Sequence, residues 1–529
     1  MRQPTTLRLF LLLALAASPL LVLGEDKVEP TPKKEPPKIP VDITTQAREW
    51  NSDKFEAPRT TFRKGHVTAR LLPAEALGKT DLGFVIQFPS KAPIASPTVY
   101  QGKIYLGGGF RSKEFYCVDA QTGKLVWGVT LDDDGPSSAV VEDGICVFNT
   151  ESCTIFALDA KTGKQLWSYW LGDPLTSTPT IANGIVFTSY PAAGGGPGGS
   201  TAPNAGQGNP FGPPEAKAGK DKPGKTAPPC SHILAAFDLK SGKILWQRWI
   251  DSDVMSAPVA VDDELYATSF AGVVYRFNQK DGKLLSALRR RATSAPVVVG
   301  KKVYWTERAE QGKEAAQEAI AANHRLDSKA IYQANKRRAV YLDIQVQRAA
   351  KLAEVGAAND AANGFAGGAP AAANPLAAAS NVGQASVSTM QAFQGSRLLH
   401  VDNRNINCMG DRVYCTDPKT GKELWNFKLS GDLKKEGGFL AAPPAAAGGQ
   451  LFLTTLKGEV LQIDPEKGKL VKTYPVGSPI RQQAAIVAGR IFVTTVDGKV
   501  VVIDTKNEKL TGWNTWGGNS AHTGVAQAK

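Results

Sequence analysis

Across 529 residues there are only six cysteines, five histidines and four methionines. Cys117, Cys146, Cys153, Cys230, Cys408 and Cys415 are scattered, which excludes a disulfide-scaffold protein. No Cys-x-x-Cys-His haem attachment and no adjacent cysteine pair occurs. His66, His232, His324, His400 and His522 show no metal-type spacing. There is no Gly-x-Ser-x-Gly nucleophile elbow. Gly107-Gly108-Gly109 and Gly194-Gly195-Gly196 lack the strand–helix setting of a phosphate loop and read as turn or linker. Beyond the first two dozen residues no run of 18 apolar residues appears, which excludes a polytopic helical membrane protein. With 42% hydrophobic and 21% charged residues, most of the chain can bury a core.

Met1–Gly24 carries Arg2 and Arg8 ahead of an apolar run from Leu9 to Leu23, broken by Ser18 and Pro19. This is the pattern of a secretory signal peptide, and it predicts a periplasmic or secreted protein. Residue 25, where lipoprotein processing needs a cysteine, is Glu25, so no lipid anchor is expected there. Residues 25–79 read as a Pro/Lys-rich tether and N-terminal extension, the part up to Pro40 being extended. Lys plus Arg number 62 against 49 Asp plus Glu, a formal charge of +13. Outside the cytoplasm that excess favours an acidic envelope protein or an anionic polymer as partner rather than nucleic acid.

One phrase recurs along the chain. Val118-Asp119-Ala120-Gln121-Thr122-Gly123-Lys124-Leu125-Val126-Trp127 returns as Leu158-Asp159-Ala160-Lys161-Thr162-Gly163-Lys164-Gln165-Leu166-Trp167. It returns again around Asp238 and Asp417, and in weaker form around Asn278, Asp464 and Asp504. Counting from the Asp or Asn, Lys stands at +5 in all seven copies and Gly at +4 in six, Glu508 being the exception. Trp stands at +8 in four (Trp127, Trp167, Trp246, Trp425); Ser286, Lys472 and Gly512 replace it elsewhere. An Asx residue that bonds its own backbone, then a glycine supplying positive φ between two apolar runs, is a hairpin. Upstream of four copies lies a Ser-x-Pro or Ser-Pro strand entry, as in Ser96-Pro97-Thr98-Val99 and Ser256-Ala257-Pro258-Val259. Four short antiparallel strands in about 40 residues, repeated, predict a β-propeller over 80–524. Seven blades follow from the repeat, or eight if an insertion hides one. Phe84–Phe88 is expected to close the ring by completing the last blade.

The Asp-x-x-Thr-Gly-Lys-x-x-Trp phrase closely resembles the repeat of the PQQ-like (pyrroloquinoline-quinone-type) propellers, and the stretch Trp513–Gly524 is similar to one common among them. The resemblance covers roughly 80–305 and 396–524. It implies that Trp127, Trp167, Trp246 and Trp425 dock one blade on the next. It also implies two functional branches: quinoprotein dehydrogenases, which hold PQQ and Ca²⁺ on the axis, and non-catalytic BamB-like scaffolds. The absent adjacent cysteine pair favours the second branch. No catalytic residue, no metal ligand and no cofactor are expected from these motifs, with PQQ and Ca²⁺ as the alternative; an enzymatic role is not favoured.

Two insertions break the period. Asp159 to Asp238 spans 79 residues, and the excess matches 191–230, a Gly/Pro/Ala/Lys tract expected to be disordered. Asn278 to Asp417 spans 139. The excess, 307–395, is expected to be helical as far as Val355, from its Ala, Glu, Lys, Arg and Gln content, then Ala/Gly-rich and flexible. Lys336, Arg337 and Arg338 within it are the candidate interaction residues. Asp132-Asp133-Asp134 reads as a solvated loop rather than a calcium site. Trp170 and Trp249, at +11 from their repeat Asp, are the aromatics to inspect for ligand binding, with edge packing as the plainer reading. Cys146/Cys153 and Cys408/Cys415 flank hairpin turns without falling at opposed positions.

Overall fold

A computed structural model describes residues 41–58, 64–150, 154–171, 177–192, 228, 230–290, 292–311, 316–324, 335–339, 398–409, 411–432, 440–513, 517–519 and 521–522. Met1–Gly24, the tether up to Pro40, nearly all of the 191–230 tract and the insertion beyond Ala339 as far as 397 therefore lie outside the described residues. The described strands form eight antiparallel sheets of four or five strands. We number them along the chain: blade 1 (98–131), 2 (140–170), 3 (180–250), 4 (259–289), 5 (297–339), 6 (398–428), 7 (445–475) and 8 (485–504). Their innermost strands follow one another around an axis, and 485–487 returns to 98–100. Shared apolar clusters carry the two remaining joints, blade 4 to 5 and blade 6 to 7.

The seven blades read from the repeat are all present. Blade 8 takes its outer strand from the other end of the chain: Gly83–Gln87 pairs with Lys499–Asp504, Val85 opposite Val501 and Phe84 opposite Val502. This is the expected closure, joining residues about 400 apart. The eighth sheet, blade 5, comes from the second insertion. Lys302–Gln311, Ala316–His324 and Asn335–Ala339 are extended and ladder-paired, Tyr304 opposite Ala322 and Glu318 opposite Arg337. The helix expected from 307 onward is thus corrected to strands. Helix propensity is a weak prior, and pairing with an existing sheet edge overrides it.

The repeat phrase builds one device, used at successive joints. In its turn, Gly123 N–H donates to Asp119 O at 2.8 Å, and Asp119 Oδ1 accepts from the Gln121 and Thr122 amides and from Thr122 Oγ1. Burial raises the Asp119 carboxyl, but Lys103, whose ammonium lies 2.7 Å away, and the Thr122 and Gln121 donors outweigh it and hold it at about 2. After the turn the ladder slips by one residue, a β-bulge that repeats in blades 1, 2, 3, 4, 6 and 7. The bulge turns the +7 side chain outward, which is why Val126, Leu166, Leu245 and Leu424 are exposed, and aims the +8 tryptophan at the next blade.

There each indole meets the next copy of the turn. Trp127 Nε1 donates to Ala160 O (3.0 Å), Trp167 to Leu239 O (2.8 Å), Trp246 to Gln279 O (2.7 Å) and Trp425 to Pro465 O (2.9 Å). The ring lies over the +4 glycine. A Cβ on Gly163 would sit 2.7 Å from Trp127, and one on Gly282 only 2.5 Å from Trp246. Glycine is needed twice over, for φ near +70° and for the absence of a side chain.

The exceptions obey the same geometry. Ser286 replaces Trp in blade 4, and the sequence of blade 5 contains no copy of the repeat phrase. Lys472 replaces it in blade 7, and the next turn is the copy that carries Glu508 instead of Gly. At the joint from blade 8 to blade 1, Phe84 holds the tryptophan position and packs on Gly123, while Arg490 Nη1 donates to Ala120 O at 2.8 Å in place of the indole.

Segments 41–58 and 64–80 are fastened to the outside. Val41–Asp42, Val67–Ala69 and Leu77–Thr80 add fifth strands to blades 4, 1 and 8. The short helix Thr44–Trp50 buries Ala47 and Trp50 against blades 3 and 4.

Trp167→Ala is expected to cost about 3–5 kcal/mol of unfolding free energy by urea titration. Leu166→Ala, at the exposed bulge position beside it, should change it by no more than about 0.5 kcal/mol.

Candidate functional site: the axial channel

Short strands line the axis: Thr98–Tyr100, Val140–Glu142, Thr180–Ala182, Val259–Val261, Val297–Val299, Leu398–Val401, Ala445–Ala447 and Ala485–Val487. They are mostly small and apolar because strands converging on an axis have little room for large side chains. Glu142 is their one carboxylate and His400 their one imidazole. Burial raises the Glu142 carboxyl, and the Gly184 N–H donates to it at 3.3 Å. Burial likewise depresses His400, whose Nδ1 lies 2.7 Å from Asn405 Oδ1.

At the entry to these strands the Ser/Thr-rich signature forms a polar collar that ties blade 1 to 2, 2 to 3, 3 to 4 and 7 to 8. Ser138 Oγ donates to Ser96 O (2.7 Å), and Thr98 Oγ1 to Ala139 O (2.6 Å). Asn149 Nδ2 donates to Ser177 O, Thr180 Oγ1 to Pro258 O and Thr454 Oγ1 to Gln482 O. These hydroxyls are buried and spend their donors on interblade carbonyls, so their first role is to hold the ring at the mouth.

The sequence reading missed a buried titratable group at the root of the first insertion, between blades 3 and 4. Asp253 Oδ1 accepts from Ser189 Oγ (2.5 Å) and from the Val254 amide (2.7 Å). Asp251 is raised by burial, against hydrogen bonds from Ser269 and Tyr275. His232 Nδ1 lies 2.7 Å from Ser231 Oγ, and burial holds the imidazole down at about 3. The only signal in the sequence was an Asp-x-Asp pair closing a strand, too common to single out. Chemically these are a buried neutral histidine and hydroxyl-bonded carboxyls, and the histidine makes the fold acid-sensitive.

The residues singled out from sequence fall in separate places. Trp127, Trp167, Trp246 and Trp425 lie at the interblade joints. Lys336, Arg337 and Arg338 lie on Asn335–Ala339, the outermost described strand of blade 5, opposite Ala319, Glu318 and Gln317. Trp249 is buried, its Nε1 donating to Glu56 O and its amide to Asn51 Oδ1, so it is packed beneath the N-terminal segment; Trp170 is half-buried. Asp133 accepts from Thr150 Oγ1 and the Thr154 amide, and Asp132 from the His66 amide, so the triple-acid loop is fastened to its surroundings. Cys117, Cys146, Cys230, Cys408 and Cys415 are buried thiols; Cys408 stands opposite Val413, not Cys415. Cys153 lies outside the described residues.

A family model described as "Outer membrane protein assembly factor BamB" (PQQ_2) matches residues 87–207, 231–405 and 409–526. The chain belongs to this family of PQQ-like propellers. No curated protein matches it. Among solved structures it is similar to BamB from Moraxella catarrhalis, at 13% identity and TM-score 0.48 over 81% of this chain and 99% of that one. It is similar to the quinohemoprotein alcohol dehydrogenase ADHIIG from Pseudomonas putida HK5, at 12% identity and TM-score 0.49 over 82% and 77%. Sqt1 from Saccharomyces cerevisiae matches at 9% identity and TM-score 0.49 over 79% and 97%.

The quinone and Ca²⁺ of the catalytic branch need clustered carboxylates and amides at the axis. The axial strands offer Glu142 alone, already bonded to Gly184. Among the described residues no group of three or more His, Cys, Asp or Glu could hold a metal ion. The described axial strands carry no such cluster.

The depressed imidazole sets a pH dependence. An unfolded histidine takes its proton near pH 6.5, whereas folded His232 stays neutral until about pH 3. Its neutral form therefore supports the fold fully above pH 6.5, and that support is lost as pH falls toward 3. Between pH 7 and pH 5 the loss from His232 is about 2 kcal/mol. Urea midpoints should fall over this interval, and less steeply in His232→Gln.

Proposed function

We propose that the protein is an exported, non-catalytic scaffold of the cell envelope, periplasmic or secreted, that binds an envelope protein or anionic polymer through the surface of a rigid ring. The observation that carries this reading is where the chemistry-bearing residues are spent. The repeat Asp, Gly and Trp are consumed in joining blades, and the collar hydroxyls bond interblade carbonyls. The axial strands carry one carboxylate, Glu142, and one imidazole, His400, and their Thr98 and Thr180 hydroxyls are spent in the collar. What remains to vary is the periphery: the outer strands, the first insertion, and blade 5 with Lys336, Arg337 and Arg338 on its outermost described strand. The signal-like Met1–Gly24 and the +13 charge support an exported protein with an acidic partner. The family's printed description, an outer-membrane assembly factor, agrees with a scaffolding role, while Glu25 argues against anchoring by lipid at that position.

The competing reading, a PQQ- and Ca²⁺-dependent dehydrogenase or quinone sensor, makes a different prediction. A ligand that binds only the folded chain at 100 times its Kd adds about 2.7 kcal/mol, which a melting curve resolves. Titration with PQQ plus Ca²⁺ is expected to leave Tm unmoved, with no dye-linked alcohol or glucose oxidation. A raised Tm together with turnover would overturn the scaffold reading.

A further inference from the structure

The C-terminal segment carries a sequence feature that the ring does not need. Gly512-Trp513 pairs antiparallel with the innermost strand of blade 7, on the side facing the axis: Ala446 is opposite Trp513, Ala447 opposite Gly512. The Gly448 amide continues the ladder by donating to Thr511 O at 2.7 Å. Further along, Ala521 and His522 are buried against the innermost strand of blade 3. The Ile181 amide donates to Ala521 O at 3.1 Å, and Thr180 Oγ1 lies 3.4 Å from His522 O. Ala521 belongs to the same apolar cluster as Ile181 and Ala182. Counting along the ring, blades 3 and 7 are four sheets apart in either direction. Thr511–Trp513 and Ala521–His522 therefore touch blades on opposite sides of the ring.

Main-chain hydrogen bonds carry most of these contacts, and Gly512 stands where the segment approaches the wall most closely. A Cβ on Gly512 would lie 2.9 Å from Ala446 O, and one on Gly517 would lie 2.7 Å from His522 Cα. The turn before the blade 3 contact is built locally, with the His522 amide donating to Asn519 O and the Ala521 amide to Asn519 Oδ1. The innermost strands of a propeller present an unpaired backbone edge to the axis, which is the template used when an extended peptide adds to a sheet. We infer that the axis of this ring is a peptide-binding site, occupied in cis by its own residues Thr511–Trp513 and Ala521–His522, and that it selects a chain with glycine or alanine at the wall contacts. This is independent of whether the outer surface is a scaffold.

Hydrogen exchange on the full chain and on a chain ending at Leu510 tests it. Segments 178–182 and 445–448 should exchange at least tenfold faster in the shortened chain, while 98–100 stays as protected as before. A synthetic peptide of residues 511–524 added to the shortened chain should restore protection at both segments. Unchanged exchange at 178–182 and 445–448, or failure of the peptide to restore it, would overturn the inference. If the shortened chain exchanges everywhere, full-length Ala521→Asp decides. Faster exchange confined to 178–182 supports the site, and wild-type protection there refutes it.

Discussion

Everything in this ring depends on an indole lying over a glycine. The +8 tryptophan of one blade gives its N–H to the next blade's turn and covers the +4 glycine of that turn at a distance that leaves no room for a Cβ. A propeller blade has no independent core of any size; its faces are buried only by its neighbours. The glycine is therefore both a turn residue and half of an interblade joint, and the Asp, the Thr or Ser and the bulge exist to present it. Ser286 replaces the tryptophan ahead of a blade whose sequence has no copy of the phrase, and Lys472 replaces it ahead of the copy that carries Glu508, while Gly421 of blade 6 is kept although Asn335–Ala339 of blade 5 brings no tryptophan.

That coupling explains how much could be read from the chain. Fixed offsets from Asp119 to Asp504 made the propeller and its closing strand legible, because period and turn chemistry are local. Phe84 was legible as part of a strand but not as a stand-in for tryptophan, since the equivalence appears only once Phe84 is seen opposite Val502. The residues 307–339 misled because Ala, Glu, Gln and Lys favour helices in isolation, whereas the edge offered by Val297–Val299 and Lys302 recruits them as strands. Asp253 and His232 are buried by blade packing that no spacing in the sequence reports.

The axis shows the same separation of local from distant information. Trp513–Gly524 stood out as a phrase, yet its contacts are with Ala446 and Ile181, on two blades far apart in sequence and opposite in space. The fold thus has one long-range fastening through Gly83–Gln87 at the rim and another through the C-terminal segment at the centre. The first was inferable from a missing fourth strand. The second left no gap in the repeat to announce it.

A double-mutant cycle on Trp246 and Gly282, read by urea unfolding, tests the central claim most directly. The strain of alanine at φ +66° is common to both backgrounds and cancels. If the indole and the glycine form one joint, Gly282→Ala costs at least about 1 kcal/mol more with Trp246 present than in Trp246→Ala. Additive losses, equal within about 0.3–0.5 kcal/mol, would mean that the two residues act separately and that the ring is held by something else.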